Sequence, residues 1–274
     1  MNNLSFVSII IPCRNEEKFI GRCLDSIVAS DYPKDMMEVL VVDGMSEDGT
    51  REIVRKFVRK YSFIELVDNP KKIVPTAMNI GIKYSIGNII MRMDAHTIYP
   101  KDYISKCVKY LLETNVDNVG GICITKPGAE TYIANAIAFA LSLPFGVGNA
   151  YFRIGSKEPK EVDTVPFGCY RREVFDKIGL FDEELIRNQD DEFNYRLIKS
   201  GGKILLVPEI VSYYYARDSL LKLWKMYFQY GYWKVRVIQK HKLPASWRHL
   251  VPISFILSIF GSALLGLFHK FGFY

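Results

Sequence analysis

Short apolar runs alternate with amphipathic segments through the first hundred residues of this 274-residue chain. Residues 6–12, 38–43 and 88–93 are predicted buried strands, because their apolar runs are too short for helices and end at turn or acidic residues. Residues 16–30 and 51–61 carry apolar side chains at the spacing of one helix face. This β-α-β-α order predicts an α/β fold, with a mostly parallel central sheet and helices on both faces.

Polar residues follow three of the predicted strands at the point where each strand ends. Parallel strands bring their carboxyl ends to one edge of a sheet, and ligands bind at that edge in open α/β folds. We therefore expect one ligand site there, formed by residues near these three strand ends, which are Arg14, Asn15, Glu16, Asp43, Asp94 and His96.

A second acidic cluster lies about a hundred residues further on, where Gln189 precedes Asp190, Asp191 and Glu192. It opens a predicted helix over residues 190–200, and a helix dipole by itself favours acids at this end. Acids at a strand end suit a metal ion and a phosphate, whereas acids at a helix start can supply a general base. Together the clusters predict a metal-assisted transferase that acts on a nucleotide-activated substrate.

Composition narrows the class of protein. An apolar fraction of 49% with 24% charged residues indicates a globular chain rather than a disordered one. The formal charge of +6 fits an anionic substrate or membrane surface, and we predict no nucleic-acid partner. The five cysteines lack Cys-x-x-Cys spacing, which indicates neither a zinc knuckle nor a disulfide framework and favours a reducing compartment. The short N-terminal apolar run predicts no signal peptide.

The alternation loosens beyond residue 100. A loop is predicted over residues 144–159, which contain glycines and prolines, and loops of that length are often functional. The other predicted elements are helices over residues 75–84, 103–112 and 172–178, and strands over residues 63–67, 119–124, 162–166 and 203–207.

Two C-terminal segments differ from the rest in composition. Residues 219–240 combine aromatic and basic side chains, which predicts either an interfacial helix or a helix packed on the domain with a solvated basic face. Val251–Phe268 is uncharged and almost wholly apolar, at the lower length limit for a membrane span; a core helix and a re-entrant segment are the alternatives. Basic residues ahead of it, including Lys240, Arg248 and His249, favour a cytoplasmic N-terminal side.

Four motifs in order resemble those of the family 2 glycosyltransferases. They are Arg14-Asn15-Glu16-Glu17 after the first strand, the acidic turn from Asp43 to Thr50, Asp94-Ala95-His96, and the helix start from Gln189 to Arg196. The resemblance covers residues 7–217. Residues 94–96, 167–172 and 188–192 are similar to those of the succinoglycan-type glucosyltransferases, which build lipid-linked bacterial exopolysaccharides.

The resemblance implies the GT-A fold and a division of the chain. Residues 1–217 form the glycosyltransferase domain, with a nucleotide-sugar-binding half over residues 1–98 and an acceptor half over residues 99–217. Amphipathic interfacial helices follow over residues 218–248. Residues 249–274 are predicted to insert into a membrane.

The resemblance also implies a donor site. Asp94 and His96 occupy the family's Asp-x-Asp motif and are the expected metal ligands. Imidazole suits Mn²⁺ whereas Mg²⁺ prefers oxygen, so Mn²⁺ is favoured, with Mg²⁺ as the alternative. Taken alone, Asp94 could instead cap a helix and His96 could be a surface residue. The residues expected to bind the nucleotide sugar are Pro12, Arg14, Glu16, Asp43, Lys72, Asp94 and Arg217.

The acceptor site is implied by the second cluster. Asp190 is the expected general base, with Asp191 as the alternative one residue away. Gln189, Arg196 and Trp233 are the expected acceptor contacts, and Trp233 could equally anchor the chain at a membrane interface. A single base without an opposing nucleophile implies inversion at the sugar carbon.

These inferences combine into one predicted function. The chain is expected to be an inverting, metal-dependent glycosyltransferase at the cytoplasmic face of the cell membrane. It would move a hexose from a nucleotide sugar such as UDP-glucose to a lipid-linked sugar or polysaccharide. The alternatives are a polyprenyl-phosphate sugar synthase, which needs no general base, a sugar nucleotidyltransferase, which releases pyrophosphate, and a non-catalytic membrane scaffold.

Overall fold

The computed structural model describes residues 5–242 and 251–268 of the chain. Its strands are β1 Val7–Cys13, β2 Met37–Asp43, β3 Ile64–Asp68, β4 Ile89–Arg92, β5 Thr97–Ile98, β6 Asn118–Lys126, β7 Lys160–Glu161, β8 Cys169–Arg171 and β9 Ile204–Tyr215. Its helices are α1 Ile20–Val28, α2 Thr50–Lys60, α3 Val74–Tyr84, α4 Tyr103–Glu113, α5 Tyr132–Ala140, α6 Pro144–Val147, α7 Tyr151–Ile154, α8 Glu173–Ile178, α9 Gln189–Lys199, α10 Leu220–His241 and α11 Val251–Phe268.

All nine strands join one sheet in the order β3-β2-β1-β4-β8-β6-β9-β5, with β7 also paired to β9. Strands β1 to β4 are parallel to one another, as predicted. In the other half, β8 runs antiparallel to both β4 and β6, and β9 runs parallel to β6. The sheet is therefore mixed, and the prediction of a mostly parallel sheet was wrong beyond β4. One sheet also spans both predicted halves, because β4 of the first pairs with β8 of the second.

Helices cover both faces of the sheet. Alternate side chains of β1 point to opposite sides, so that Ile9 packs with Leu24 of α1 in one core. Ile10 packs with Met78 of α3 and Phe193 of α9 in the other. Burying each such side chain contributes about 1.5–3 kcal/mol. Helix α9 is thus anchored in the same core as the first strand.

Several boundaries differ from the sequence-based predictions. The predicted loop over residues 144–159 contains the short helices α6 and α7, and helix α5 was not predicted. Residues 162–166 are not a strand, whereas β9 continues to Tyr215. Its pairing with β6 jumps from Val207 to Val211, because Pro208 has no N–H to donate and a bulge absorbs the break. The pattern breaks at that proline, which is why the prediction stopped at residue 207.

The two C-terminal helices agree in extent with the predicted segments. Across residues 5–242 and 251–268, no helix is long and apolar enough to cross a membrane. The spanning interpretation of Val251–Phe268 is therefore not supported, and membrane association stays a prediction. Arg248 and His249 lie outside the described residues.

Candidate active site

The loops after β1, β2 and β3 meet at the carboxyl edge of the sheet. Gly44 allows this, because a Cβ there would lie 3.2 Å from Cδ of Arg14 and 3.3 Å from Cα of Lys72. Arg14 and Lys72 are both exposed at this edge, and Pro12 at the end of β1 is half-buried beside them. Three of the predicted donor-binding residues are therefore brought together. The glycine that replaces the second acid of many relatives has a steric role here.

Asp43 ends β2 with its side chain fully buried. It accepts hydrogen bonds from Arg51 at 2.6 Å and from both the backbone and the hydroxyl of Ser46. These contacts shape the loop that follows β2, and direct contact of Asp43 with the donor stays a prediction.

Left-handed backbone conformations accompany these loops. Asn15, Met45 and Lys72 have φ angles of 53°, 55° and 63°, and Asn188, which precedes α9, has φ of 60°. Such conformations are uncommon for residues other than glycine, and they cluster at functional sites in many proteins. Met45 and Lys72 give no warning of this in the sequence, whereas asparagine often adopts it.

A cleft of about 110 Å³ opens beside these loops. Its lining brings Glu16 and His96 opposite Arg217 and Lys222. His96 Nδ1 lies 3.5 Å from a carboxylate oxygen of Glu16. Although burial lowers the pKa of His96, the hydrogen bond with Glu16 and the charge of Asp94 raise it above its ordinary value. Lys222, which the sequence analysis did not single out, adds a second cation to this cleft.

The expected metal site consists of the side chains of Asp94 and His96. A carboxylate and an imidazole, as in Asp94 and His96, suit Mn²⁺. Within the described ranges, however, no three His, Cys, Asp or Glu side chains are grouped so that they could hold a metal ion. Asp94 and His96 as metal ligands therefore stay a prediction.

The two acidic clusters meet at Arg92, the last residue of β4. Its guanidinium lies 3.1 Å from Asp94 Oδ1 and 3.6 Å from Asp190 Oδ2. The Arg92 side chain is only 13% exposed, so its charge depends on these carboxylates. The sequence analysis missed Arg92, although a charge between Met91 and Met93 in an otherwise apolar strand was a visible signal.

The first two acids of helix α9, Asp190 and Asp191, have different surroundings. Asp190 has a 43% exposed side chain, whereas Asp191 forms an ion pair with Lys234 of α10. Burial and the neighbouring Asp191 charge raise the pKa of Asp190, while Arg92 and Lys234 oppose that rise. A raised pKa and an exposed carboxylate suit a general base better than a carboxylate held by a lysine does.

The neighbours of Asp190 are held rigidly. Gln189 is buried, and its Oε1 has no hydrogen-bond partner among the described residues. Phe193 fixes the next turn by stacking on Phe181 with ring centroids 4.4 Å apart. Asn188 donates its side-chain amide to the carbonyl of Tyr230, which ties the start of α9 to α10.

Arg196 has partners within the protein. Its guanidinium pairs with Glu192 at 2.7 Å and donates to the backbone carbonyls of Ile178 and Leu180. These contacts fix α9 to the end of α8, and the acceptor role of Arg196 stays a prediction. Trp233 is half-buried on α10, with its ring 5.3 Å from that of Tyr232, and its acceptor role stays a prediction.

The sequence profile described as glycosyl transferase family 2 matches residues 8–179, more than half of the chain. The chain belongs to this family. The resemblance drawn from the four motifs is thereby confirmed, and the protein is a glycosyltransferase.

Two curated relatives of this glycosyltransferase cover nearly all of it. The dolichyl N-acetyl-α-D-glucosaminyl phosphate 3-β-D-2,3-diacetamido-2,3-dideoxy-β-D-glucuronosyltransferase of Methanococcus voltae is 34% identical, over 96% of this chain and 83% of its own length. The succinoglycan biosynthesis protein ExoA of Rhizobium meliloti is 32% identical, over 93% of this chain and 77% of its own length.

Solved structures support the fold. The mannosyltransferase PcManGT from Pyrobaculum calidifontis, in complex with GDP-Man and Mn²⁺, aligns with a TM-score of 0.67 and 22% identity over 88% of this chain. The chain spans 65% of the length of that structure. S. aureus TarS 1-349 in complex with UDP-GlcNAc aligns with a TM-score of 0.62 and 20% identity, over 85% of this chain and 66% of its own. These likenesses establish a GT-A-like α/β fold.

The contacts of Arg196 generate a prediction. In Arg196→Gln, Glu192 keeps only His241 as an ionic partner although its side chain is 3% exposed. We expect the free energy of unfolding to fall by about 3 kcal/mol, because breaking one side of a buried ion pair strands the other charge. Urea denaturation measures this, and Lys199→Gln on the exposed side of the same helix should change it by less than about 0.5 kcal/mol. Intact stability with a loss of sugar transfer would support an acceptor role for Arg196.

Proposed function

We propose that this glycosyltransferase moves a hexose from a nucleotide sugar to a lipid-linked saccharide, with inversion and with Asp190 as the base. One observation carries the proposal. Arg92 brings Asp94 and Asp190 to the same edge of the sheet, although they lie about a hundred residues apart in the chain. A group that faces a leaving diphosphate and a group that accepts a proton are thus next to each other, as a single displacement requires.

The donor would bind across the loop edge and the cleft. Arg14 and Lys72 are exposed where a nucleotide can reach them. Arg217 lines the cleft and would stabilise the negative charge that develops on the diphosphate as it leaves. Lys222 contributes less, because its ammonium is paired with Asp218 at 2.8 Å in the same cleft. A divalent cation held by Asp94 and His96 would neutralise further charge on the same diphosphate.

The acceptor hydroxyl would approach from the α9 side. The exposed carboxylate of Asp190 would accept its proton as the oxygen attacks the sugar carbon. Asp191 is held by Lys234, so a second carboxylate is not available to act as a nucleophile on the opposite face. One displacement with one base gives an inverted linkage.

Donor and acceptor classes are proposed from the relatives. The similar structures hold GDP-Man with Mn²⁺ and UDP-GlcNAc, and the relatives' names include a dolichyl-linked sugar acceptor and succinoglycan biosynthesis. We propose a UDP-linked hexose such as UDP-glucose as the donor and Mn²⁺ as the preferred metal. We propose a polyprenyl-linked sugar of an exopolysaccharide-type assembly as the acceptor.

A donor screen tests the metal assignment. Thermal shifts with UDP-glucose, UDP-GlcNAc and GDP-mannose, each with Mn²⁺ or Mg²⁺, should give the largest stabilisation for UDP-glucose with Mn²⁺. His96→Ala should lose most of the metal-dependent part of that stabilisation, because it removes one of two protein ligands. Lys109→Gln, at an exposed residue of α4, is the control. Equal stabilisation of His96→Ala and the parent by donor plus metal would overturn the metal assignment.

Turnover of Asp190→Asn tests the base. We expect sugar transfer from UDP-glucose to short-chain polyprenyl-diphosphate sugars to fall by about 10²–10⁴-fold, the usual contribution of a general base. Asp176→Asn, at an exposed acid of α8, should keep parental turnover. Full turnover in Asp190→Asn would favour a polyprenyl-phosphate sugar synthase, and release of pyrophosphate would identify a nucleotidyltransferase.

Helix α10 supports a proposed site of action at the cytoplasmic face of a membrane. Leu221, Trp224, Phe228 and Tyr232 lie on one helix face and are each 61–64% exposed. Contiguous exposed apolar surface of this kind marks an interaction site, and a lipid acceptor places that site at a bilayer. Helix α11 also exposes apolar side chains, such as Phe255 at 64% exposure.

The basic residues of α10 contribute less to this surface than expected. Lys234, Arg236 and Lys240 form ion pairs with Asp191, Glu184 and Asp182 of the same chain. Their charges are therefore partly neutralised within the protein. We propose that apolar side chains, more than basic ones, hold the protein at the bilayer.

Liposome sedimentation tests this surface. The double variant Trp224→Glu with Phe228→Glu should bind vesicles at least about tenfold more weakly. The reason is that two aromatic rings that would insert into the bilayer become charged side chains. Ile198→Glu, at an exposed apolar residue of α9, is the matched control and should bind as the parent does. Binding to neutral and anionic vesicles should be similar. Equal binding by the double variant and the parent would contradict the assignment of this face.

A further inference from the structure

We infer that Arg92 is a positioning residue for sugar transfer, holding the Asp190 carboxylate in register with Asp94 across the active site. The inference rests on the proposed function, since it assigns how the proposed base is held. It adds a residue that none of the four sequence motifs contains.

The geometry gives Arg92 two distinct attachments. Its Nε and Nη2 donate to the same oxygen of Asp94, at 3.2 Å and 3.1 Å. Its remaining nitrogen, Nη1, faces Oδ2 of Asp190 at 3.6 Å. A guanidinium is planar and rigid, so fixing one side against Asp94 fixes the direction of the other side. A lysine could carry the charge but could not hold both carboxylates with the same geometry.

The surroundings of Asp190 make this attachment matter. On its own helix Asp190 adjoins Asp191, whose like charge disfavours the ionised base. From other elements, Lys234 and Tyr230 of α10, Tyr170 of β8 and Arg92 of β4 act on its charge. Arg92 is the first of the cationic groups that hold down the pKa of Asp190, and Lys234 is shared with Asp191.

Arg92 itself is stable as a cation in this place. Its guanidinium is paired with the carboxylates of Asp94 and Asp190, and its side chain is 13% exposed. Arg92 also sits at the end of β4, whose neighbours β1 and β8 flank it in the sheet. Its backbone is therefore fixed by the sheet, whereas Asp190 stands on a helix that joins the sheet only through side chains.

The first test needs no substrate. A double-mutant cycle of Arg92→Gln and Asp190→Asn, followed by urea denaturation, should show non-additive unfolding constants by about threefold, as expected for a partly exposed ion pair. Additive effects would show that the two side chains do not interact and would overturn the inference. This result does not depend on which sugar is transferred, so a failure of the proposed function is seen separately, as absence of turnover in the parent enzyme.

The second test uses turnover of UDP-glucose or GDP-mannose, measured as release of the nucleoside diphosphate. Arg92→Gln should lower kcat by about 10–100-fold and raise the donor KM by a smaller factor, because the variant misplaces the base while Asp94 loses one partner and Arg14 and Arg217 are unchanged. Arg92→Lys should recover part of kcat. In the Asp190→Asn background, Arg92→Gln should cost less than about threefold, since the base through which it acts is gone.

The pH profile provides a readout that a purely structural role would not move. Loss of the Arg92 charge raises the pKa of Asp190, so the acid limb of kcat should move to higher pH in Arg92→Gln and much less in Arg92→Lys.

Arg171→Gln is the control for losing an inward arginine. The Arg171 guanidinium donates to the backbone carbonyls of Leu111, Thr114 and Val116. This variant should lose stability but keep the parental acid limb. An unshifted limb in Arg92→Gln, or an equal loss of kcat with and without Asp190, would overturn the inference.

Discussion

The burial of one positive charge determines how this active site is assembled. Arg92 ends a strand inside the sheet, where a guanidinium without partners would be costly. Asp94 and Asp190 meet that requirement from two directions. The first comes from the adjacent loop and the second from a helix about a hundred residues away. The same electrostatic demand therefore brings together the two acidic clusters that we propose to act on the donor and on the acceptor.

A second set of charges ties α10 to the segment that carries the base. Lys234, Arg236 and Lys240 pair with acids between residues 182 and 191, and His241 lies 3.0 Å from buried Glu192. Single exposed pairs contribute little, but several pairs along one helix restrict its position together. The opposite face of α10 exposes aromatic rings. If that face binds a bilayer and α10 shifts, the ion pair between Lys234 and Asp191 transmits the shift to the start of α9.

The sequence predicted what depends on local pattern. The strands β1 to β4 and the helices between them followed from periodicity, and the position of Arg14 at a strand end followed from the geometry of parallel strands. Lys72 was expected from the family resemblance. The mixed half of the sheet did not, because the three-residue β8 has no period to detect and Pro208 hides the continuation of β9. The burial of Asp43 and the contacts of Arg196 were not predicted. Asp43 meets Ser46 and Arg51 only through the fold of the loop after β2, and Arg196 meets backbone carbonyls of Ile178 and Leu180, which no hydrophobic pattern records.

The neutral side chain of Gln189 limits the negative charge around Asp190. The Gln189 side chain is buried, with 5% exposure, and its Oε1 has no hydrogen-bond partner among the described residues. A carboxylate at this depth would add a third negative charge beside Asp190 and Asp191, with only Arg92 and Lys234 to offset three acids. Like charges and burial both raise carboxylate pKa values, so a glutamate would drive Asp190 further towards its protonated, inactive form. The neutral amide keeps the shape of the glutamate while leaving the charge of Arg92 for the base.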